Sequence, residues 1–335
     1  MTDWLQARQA GLGGSDIAAI FGTSPWNSAL TLWALKTGKQ EAENLDHKEF
    51  IEWGNRLEDP IIEAYWERTQ RLPATWQDTV TEDEECPFHV MELDHNGETK
   101  LMLRSRAHPW ALATPDGMIK GYQPLPWSID SDEQFSGCGI LEGKTTNSFK
   151  KGDWSHGPPP YYMLQAQHYM LVTGLQWASF AVLIGGQELK IFDVPRDDGI
   201  IQSIIEKAGK FWEVNIKQDI APEASGIHNE AALLSKLFPG EDDGEPLTLP
   251  EQAMAQMDAI DLLADRIKPI RESLKELERK QTACKNNLKM MMGNASIGHT
   301  PDGLLRITYR MTRRAGYTVE AKQYRTMRTK RVRTS

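Results

Sequence analysis

Three residues in two short segments have the types and spacing to do chemistry. Asp116 follows a proline at the end of a strand-like stretch, in ATPDG (113–117), and Glu142 and Lys144 stand two apart in LEGKTT (141–146). The second segment reads as a strand, and strand side chains alternate, so a spacing of two puts Glu142 and Lys144 on one face. Two carboxylates and a lysine at one sheet edge are the ingredients of metal-assisted phosphodiester hydrolysis. Carboxylate oxygens suit Mg2+, a hard cation that keeps waters in its shell. Such a metal lowers the pKa of a bound water and neutralises charge on the phosphate. The Gly143 carbonyl would be a further hard ligand, and Lys144 is expected to orient or deprotonate the water. Desolvation and the dication would lower the pKa of that lysine. Each part also has a plainer reading. Pro-Asp-Gly is commonly a turn, and Glu-x-Lys in a strand is commonly an exposed ion pair.

The elements that must position these residues alternate between helical and strand patterns. NSALTLWALKTG (27–38) predicts a helix capped by Asn27 or Ser28, with Gly38 past its end. FIEWGNRLEDPIIEAYWERT (50–69) has helical period, but Pro60 predicts a kink or break just after Glu58. WALATPDGMIKGY (110–122) and GCGILEGKTT (137–146) predict strands joined by a polar loop. PPPYYMLQAQHYMLVTG (158–174) starts with prolines and ends in glycine, as a helix does. WASFAVLIGG and QELKIFDVPR predict a hairpin, and residues 197–216 return to helical period. The sum is an α/β fold, a mixed sheet flanked by helices.

The chain has 335 residues, 25% of them charged, a mean hydropathy of -0.52 and a formal net charge of -9. Collagen-like repeats and wholesale disorder are excluded. The longest apolar stretch, residues 177–186, is half the ~20 residues that a spanning helix needs. No basic-then-apolar leader opens the sequence, and Cys86, Cys138 and Cys284 are odd in number and far apart, so a reducing cytoplasm is the expected location. All eleven tryptophans lie at or before Trp212, and 221–250 is rich in proline and acid. The reading is therefore a large domain over 1–220, a linker over 221–250, and a C-terminal region in two parts. Residues 251–293 carry apolar residues in alternating steps of three and four from Ile260 to Met291, with Gln281 as the polar exception. That stripe predicts a coiled coil or helical hairpin, which Pro269 should kink or split. Residues 294–335 are basic. From Leu304 onward there are ten Lys/Arg and one acid, against 28 basic and 46 acidic residues before it. A strand pair is expected within 304–319, and the tail 326–335 is a candidate for riding on phosphates.

Five ordered blocks now matter together: ARQAGLGGSDIAAIFGTSPW (7–26), WGNRLEDPIIEAY (53–65), ATPDG (113–117), LEGKTT (141–146) and YYMLQAQHYMLVTG (161–174). With them the chain resembles the YqaJ-type viral recombinase family, the group that includes phage lambda exonuclease within the PD-(D/E)XK nucleases. The resemblance spans nearly all of residues 1–215. It implies a restriction-endonuclease-like core, Asp116 and Glu142 as metal ligands, and Lys144 as the residue that positions the nucleophilic water. It implies further that Glu58 supports the metal site and that Gln165 lies near the catalytic lysine, with Gln167 and His168 as neighbours competing for that role. Arg8 and Ser15 match a pair that holds a 5′-terminal phosphate, which suits an arginine fork and a serine at a helix start. Ser15 is equally well placed as an N-cap. Trp4, close by, is a candidate for stacking on an end base or for the core. One departure stands out: the family usually has Ile, Val or Leu where this chain has Gly143.

The resemblance implies a Mg2+-dependent exonuclease, with Mn2+ as a possible substitute, acting 5′→3′ on linear duplex DNA. It also implies a single-strand annealing protein as partner and a homo-oligomer, a trimer in the lambda member. Two rivals stay open. One is an endonuclease or nickase on the same fold, the other a catalytically inactive DNA-binding scaffold. The remaining histidines show no metal-ligand spacing, GLGGSD lacks the Gly-Lys-Ser/Thr of a Walker loop, and three cysteines are too few for an iron–sulfur branch.

Overall fold

A computed structural model describes residues 3–41, 48–80, 85–95, 97–125, 135–226, 228–239, 247–301 and 306–310. In chain order the elements begin with α1 (Asp3–Gln9), α2 (Gly14–Ile20), α3 (Ala29–Lys36), α4 (Glu49–Thr69) and β1 (Pro73–Ala74). Then come β2 (Phe88–His95), β3 (Glu98–Ser105), β4 (Leu112–Ala113), β5 (Gly117–Ile119), β6 (Gly139–Thr146) and α5 (Pro160–Thr173). β7 (Trp177–Ile184), β8 (Glu188–Pro195), α6 (Asp198–Lys210), α7 (His228–Leu237), α8 (Gln252–Met292), β9 (Ile297–His299) and β10 (Arg306–Thr308) complete the order.

The main sheet has the order β1-β5-β6-β7-β8. β6 and β7 run parallel, with Glu142 opposite Phe180 and Lys144 opposite Val182, and the other pairs are antiparallel. Parallel neighbours need a crossover, and α5 supplies it. The sheet is therefore mixed, as expected. β2, β3 and β4 form a second, three-stranded sheet. Helices cover both faces of the main sheet. Ile61 and Tyr65 of α4 pack with Leu141 and Ala181 on one face. On the other, Ile140, Phe180 and Val182 join Ala166 and Met170 of α5 and Ile204 of α6. Period-two alternation then assigns β6 without ambiguity: Leu141 and Gly143 face α4, while Ile140, Glu142 and Lys144 face α5.

Local signals explain the helix ends. Ser28 Oγ accepts the Thr31 N–H at 3.2 Å to start α3, and Gly174 at φ 76° closes α5. Three expectations are corrected. α4 runs unbroken through Pro60. Proline leaves the Arg56 carbonyl without its usual donor, yet the buried Ile61 and Tyr65 hold the helix on the sheet. The presumed linker contains α7, whose Leu233 is in the core, so the first compact unit extends to Phe238 rather than ending at 220. Proline and acid density outweighed Leu233, Leu234 and Leu237 in the sequence reading. Finally, α8 is one helix of 41 residues, neither split at Pro269 nor folded as a hairpin.

The second unit, Pro239–Ser335, holds α8 and an antiparallel β9–β10 pair with Ile307 opposite Gly298. β10 falls inside the 304–319 stretch expected to form a strand pair, but its partner lies upstream of it. Residues 304–305 and 311–319 of that stretch and the basic tail lie outside the described residues. Among the described residues no helix is long and apolar enough to cross a membrane.

Candidate active site

Asp116 sits in the bend between β4 and β5, where the chain leaves the small sheet and enters the large one. Its Oδ2 accepts the Gly143 N–H at 2.8 Å, which ties it to the middle of β6. Glu142 is fully buried beneath α5. Its Oε2 accepts the Lys144 ammonium at 2.5 Å and the Gln165 amide at 2.9 Å. Lys144 Nζ also lies 3.7 Å from Asp116 Oδ2 and 5.5 Å from the centre of the Tyr162 ring. The three residues singled out by spacing therefore meet at one point, and Gln165 joins them from the crossover helix.

Burial and the neighbouring Asp116 charge push the Glu142 carboxyl up to about 8, more than Lys144 pulls it down. For Lys144, burial favours the neutral amine, but Glu142 and Asp116 outweigh it and raise its pKa. Without a dication, two carboxylates dominate the lysine's field. Glu58, on α4, is raised by burial first and by Asp116 second, so it shares the electrostatics of the site. Among the described residues no three His, Cys, Asp or Glu side chains form a ready-made metal cage. Glu142 Oε1, however, is buried with no hydrogen-bond partner. A buried acceptor beside a second carboxylate fits a divalent cation, which would satisfy what no protein donor does.

Gln167 and His168 turn away from this point. Gln167 bonds the Pro195 carbonyl and the Asp197 N–H, and His168 Nε2 lies between the Leu12 and Leu112 carbonyls at 3.1 and 3.0 Å. Gln165 alone of the three reaches Glu142.

The Arg8–Ser15 pair is also brought together, Nη2 donating to Oγ at 3.2 Å. Ser15 is not the cap. Gly13 takes that position, and its N–H is accepted by Asp16 Oδ2 at 2.9 Å, leaving Ser15 in the first turn of α2. Lys36 pairs with Asp16 at 3.1 Å and donates to the Arg8 and Gly11 carbonyls, so it fastens the turn that presents Arg8. Burial would raise the Asp16 carboxyl, but Lys36, Arg8 and the Gly13 N–H hold it below its ordinary value. Gly14 sets the distance between the two residue groups. A Cβ there would stand 2.7 Å from Gln165 Cγ and from Tyr169 Cε1, so only glycine lets α2 lie against α5. Trp4 is partly exposed.

Sequence reasoning missed Tyr169, Tyr162 and Lys36. Tyr169 Oη lies 3.3 Å from Gln165 Nε2 and 3.3 Å from Thr114 Oγ1. Its signal was available, since it stands four residues, one helical turn, after Gln165. Lys36 had none, because it acts through backbone carbonyls across 25 and 28 residues.

A family model described as YqaJ-like viral recombinase domain matches residues 3–176. The chain belongs to that family. Every residue placed above from Arg8 to Tyr169 falls inside the YqaJ-like span. The uncharacterized protein YqaJ of Bacillus subtilis (strain 168) is 26% identical over 299 residues, covering 88% of this chain and 79% of that protein. Two solved structures of LHK-Exo are also similar. The complex with dAMP is 20% identical, covering 70% of this chain and 98% of that one, with a TM-score of 0.44. The alkaline exonuclease structure from Laribacter hongkongensis is 20% identical, covering 69% and 98%, with a TM-score of 0.41.

Proposed function

We propose that this YqaJ-like protein is a Mg2+-dependent exonuclease. It digests linear double-stranded DNA from its ends, 5′→3′, and leaves 3′ single strands for recombination by an annealing protein. The observation that carries the reading is the buried Glu142 carboxylate, with one oxygen unpartnered and the other held by Lys144 and Gln165, beside Asp116. Family membership supports the same class of activity. Asp116, Glu142, the Gly143 carbonyl and Glu58 would hold Mg2+, with Mn2+ as a substitute. When bound, such a cation supplies a water of lowered pKa and neutralises charge on the phosphate.

The chain's own residues do the rest. Gln165 fixes the rotamer of Glu142, and the Gly143 N–H fixes Asp116. Lys144 orients the attacking water and neutralises the phosphate oxygens beside it. Arg8 and Ser15 grip the 5′-terminal phosphate, a bidentate fork assisted by a hydroxyl, which selects ends over interior bonds. We infer a homo-oligomer in solution, a trimer being the form the family suggests, and a cytoplasmic site of action.

The test compares 5′-phosphorylated linear duplex, 5′-hydroxyl linear duplex and closed circular DNA, each with Mg2+, using the wild type and Lys144→Ala. Loss of linear DNA only, faster with the phosphate and absent in the variant, is the expected result. Cutting of the circle would make the protein an endonuclease, and no cutting at all would leave a DNA-binding scaffold.

A further inference from the structure

α8 is an exposed helix with an apolar seam. Read as heptads, Ile260, Ile267, Leu274 and Leu288 fall at a, and Leu263, Ile270, Leu277 and Met291 at d. All are exposed, from 41% at Ile260 to 81% at Met291. From Ile260 to Met291, at 1.5 Å rise per residue, the seam is about 47 Å long. A stripe of that length facing water marks an interaction surface. Pro269 falls at c, away from the seam, so it does not interrupt it.

The charges flanking the seam say what covers it. In a parallel, in-register pair, position g of one helix faces position e of the next heptad on its partner. That geometry sets Arg266 against Arg271 and Lys280 against Lys285, each twice by symmetry, and brings no opposite charges together. In an antiparallel pair e faces e and g faces g. Centring that pair between Leu274 and Leu277 stacks Leu274 on Leu277, Ile267 on Cys284, Leu263 on Leu288 and Ile260 on Met291, with Ile270 on Gln281 as the one polar layer. It also sets Arg271 against Glu278, twice by symmetry, and no like charges meet. Sliding the register by one heptad either way brings Arg271 onto itself in one direction, and Arg271 onto Lys285 with Glu278 onto itself in the other. We propose that α8 pairs with α8 of a second copy as an antiparallel coiled coil centred between Leu274 and Leu277. The pairing is independent of the nuclease reading, because it uses residues of the second unit alone.

Sedimentation equilibrium of the full, reduced chain tests it with four variants. Arg271→Glu and Glu278→Arg should each weaken association by about fivefold or more, and the double exchange should restore it to within about twofold of wild type. Leu274→Lys should remove the α8 contribution, with the helix signal of the variant checked by circular dichroism. Tighter association of Arg271→Glu would mean a parallel pair and overturn the proposal. Association insensitive to Leu274→Lys, or a monomer at every concentration, would overturn it too, the first by placing the interface elsewhere and the second by leaving the seam to a different protein.

Discussion

Asp116 Oδ2 accepts the backbone N–H of Gly143 at 2.8 Å, so the aspartate is held by the strand and not by the side chain at 143. That leaves the side chain free to be absent. A Cβ on Gly143 would lie 3.4 Å from Ile62 Cδ1, 3.7 Å from Ile61 Cγ2 and 3.8 Å from Asp116 Oδ2, ordinary contact distances. Ile61 and Ile62 of α4 lie over this position of the strand.

Gly143→Ala should fold and gain about 0.5–1 kcal/mol, because glycine in a strand interior costs that much. Gly143→Val should lose about 1–3 kcal/mol by overpacking, and Ile62→Ala in the same chain should recover most of it. Urea midpoints at constant m-value measure both. A valine variant as stable as the wild type would show that α4 does not press on this site.

Glu142→Gln keeps the shape of a fully buried side chain and removes its charge. Activity on linear duplex DNA should fall by at least about 10^3-fold. The melting temperature should move by less than about 4 °C, since burial already disfavours the carboxylate. Retention of a tenth of the activity would remove Glu142 from the catalytic set.

Gln165→Leu tests positioning. Loss of its hydrogen bond to Glu142 should lower kcat by about 10–100-fold and leave KM for DNA nearly unchanged. Gln167→Leu, two residues on, should instead destabilise the fold, because Gln167 bonds Pro195 and Asp197. If the two variants behaved alike, the distinction between the faces of α5 would be wrong.

His168 supplies a pH dependence of stability. Burial pulls its pKa from 6.5 down to about 4, outweighing the two carbonyl hydrogen bonds. The unfolded chain therefore binds the proton that the folded chain excludes. Stability is fully present above pH 6.5 and is lost as pH falls from there toward 4. Between pH 7 and 5 the wild type should lose about 2 kcal/mol from this group. Urea titrations of wild type and His168→Gln should differ in slope over that interval; parallel curves would refute the assignment.

Much of the site was legible before folding. Glu142 and Lys144 share a face because strands alternate, and α5 begins and ends where its prolines and glycine say. Gln165 and the pairing of Arg8 with Ser15 were reachable only through the family resemblance, for nothing in their spacing connects them. The break expected at Pro60 did not occur. A proline removes a single hydrogen bond, whereas the fate of α4 depends on how Ile61 and Tyr65 pack, which a local rule does not contain. The end of the first domain was misread because the burial of Leu233 is a tertiary fact.

The sequence by itself determined the chemistry available and the elements that carry it, because residue type and period are local properties. Only the tertiary structure decided that Asp116 is held by the β6 backbone and that Glu142 keeps one buried oxygen without a donor. It also decided that Gly14 lets α2 approach Gln165. Each of these depends on segments tens to more than a hundred residues apart meeting in space, and on what burial then does to charge.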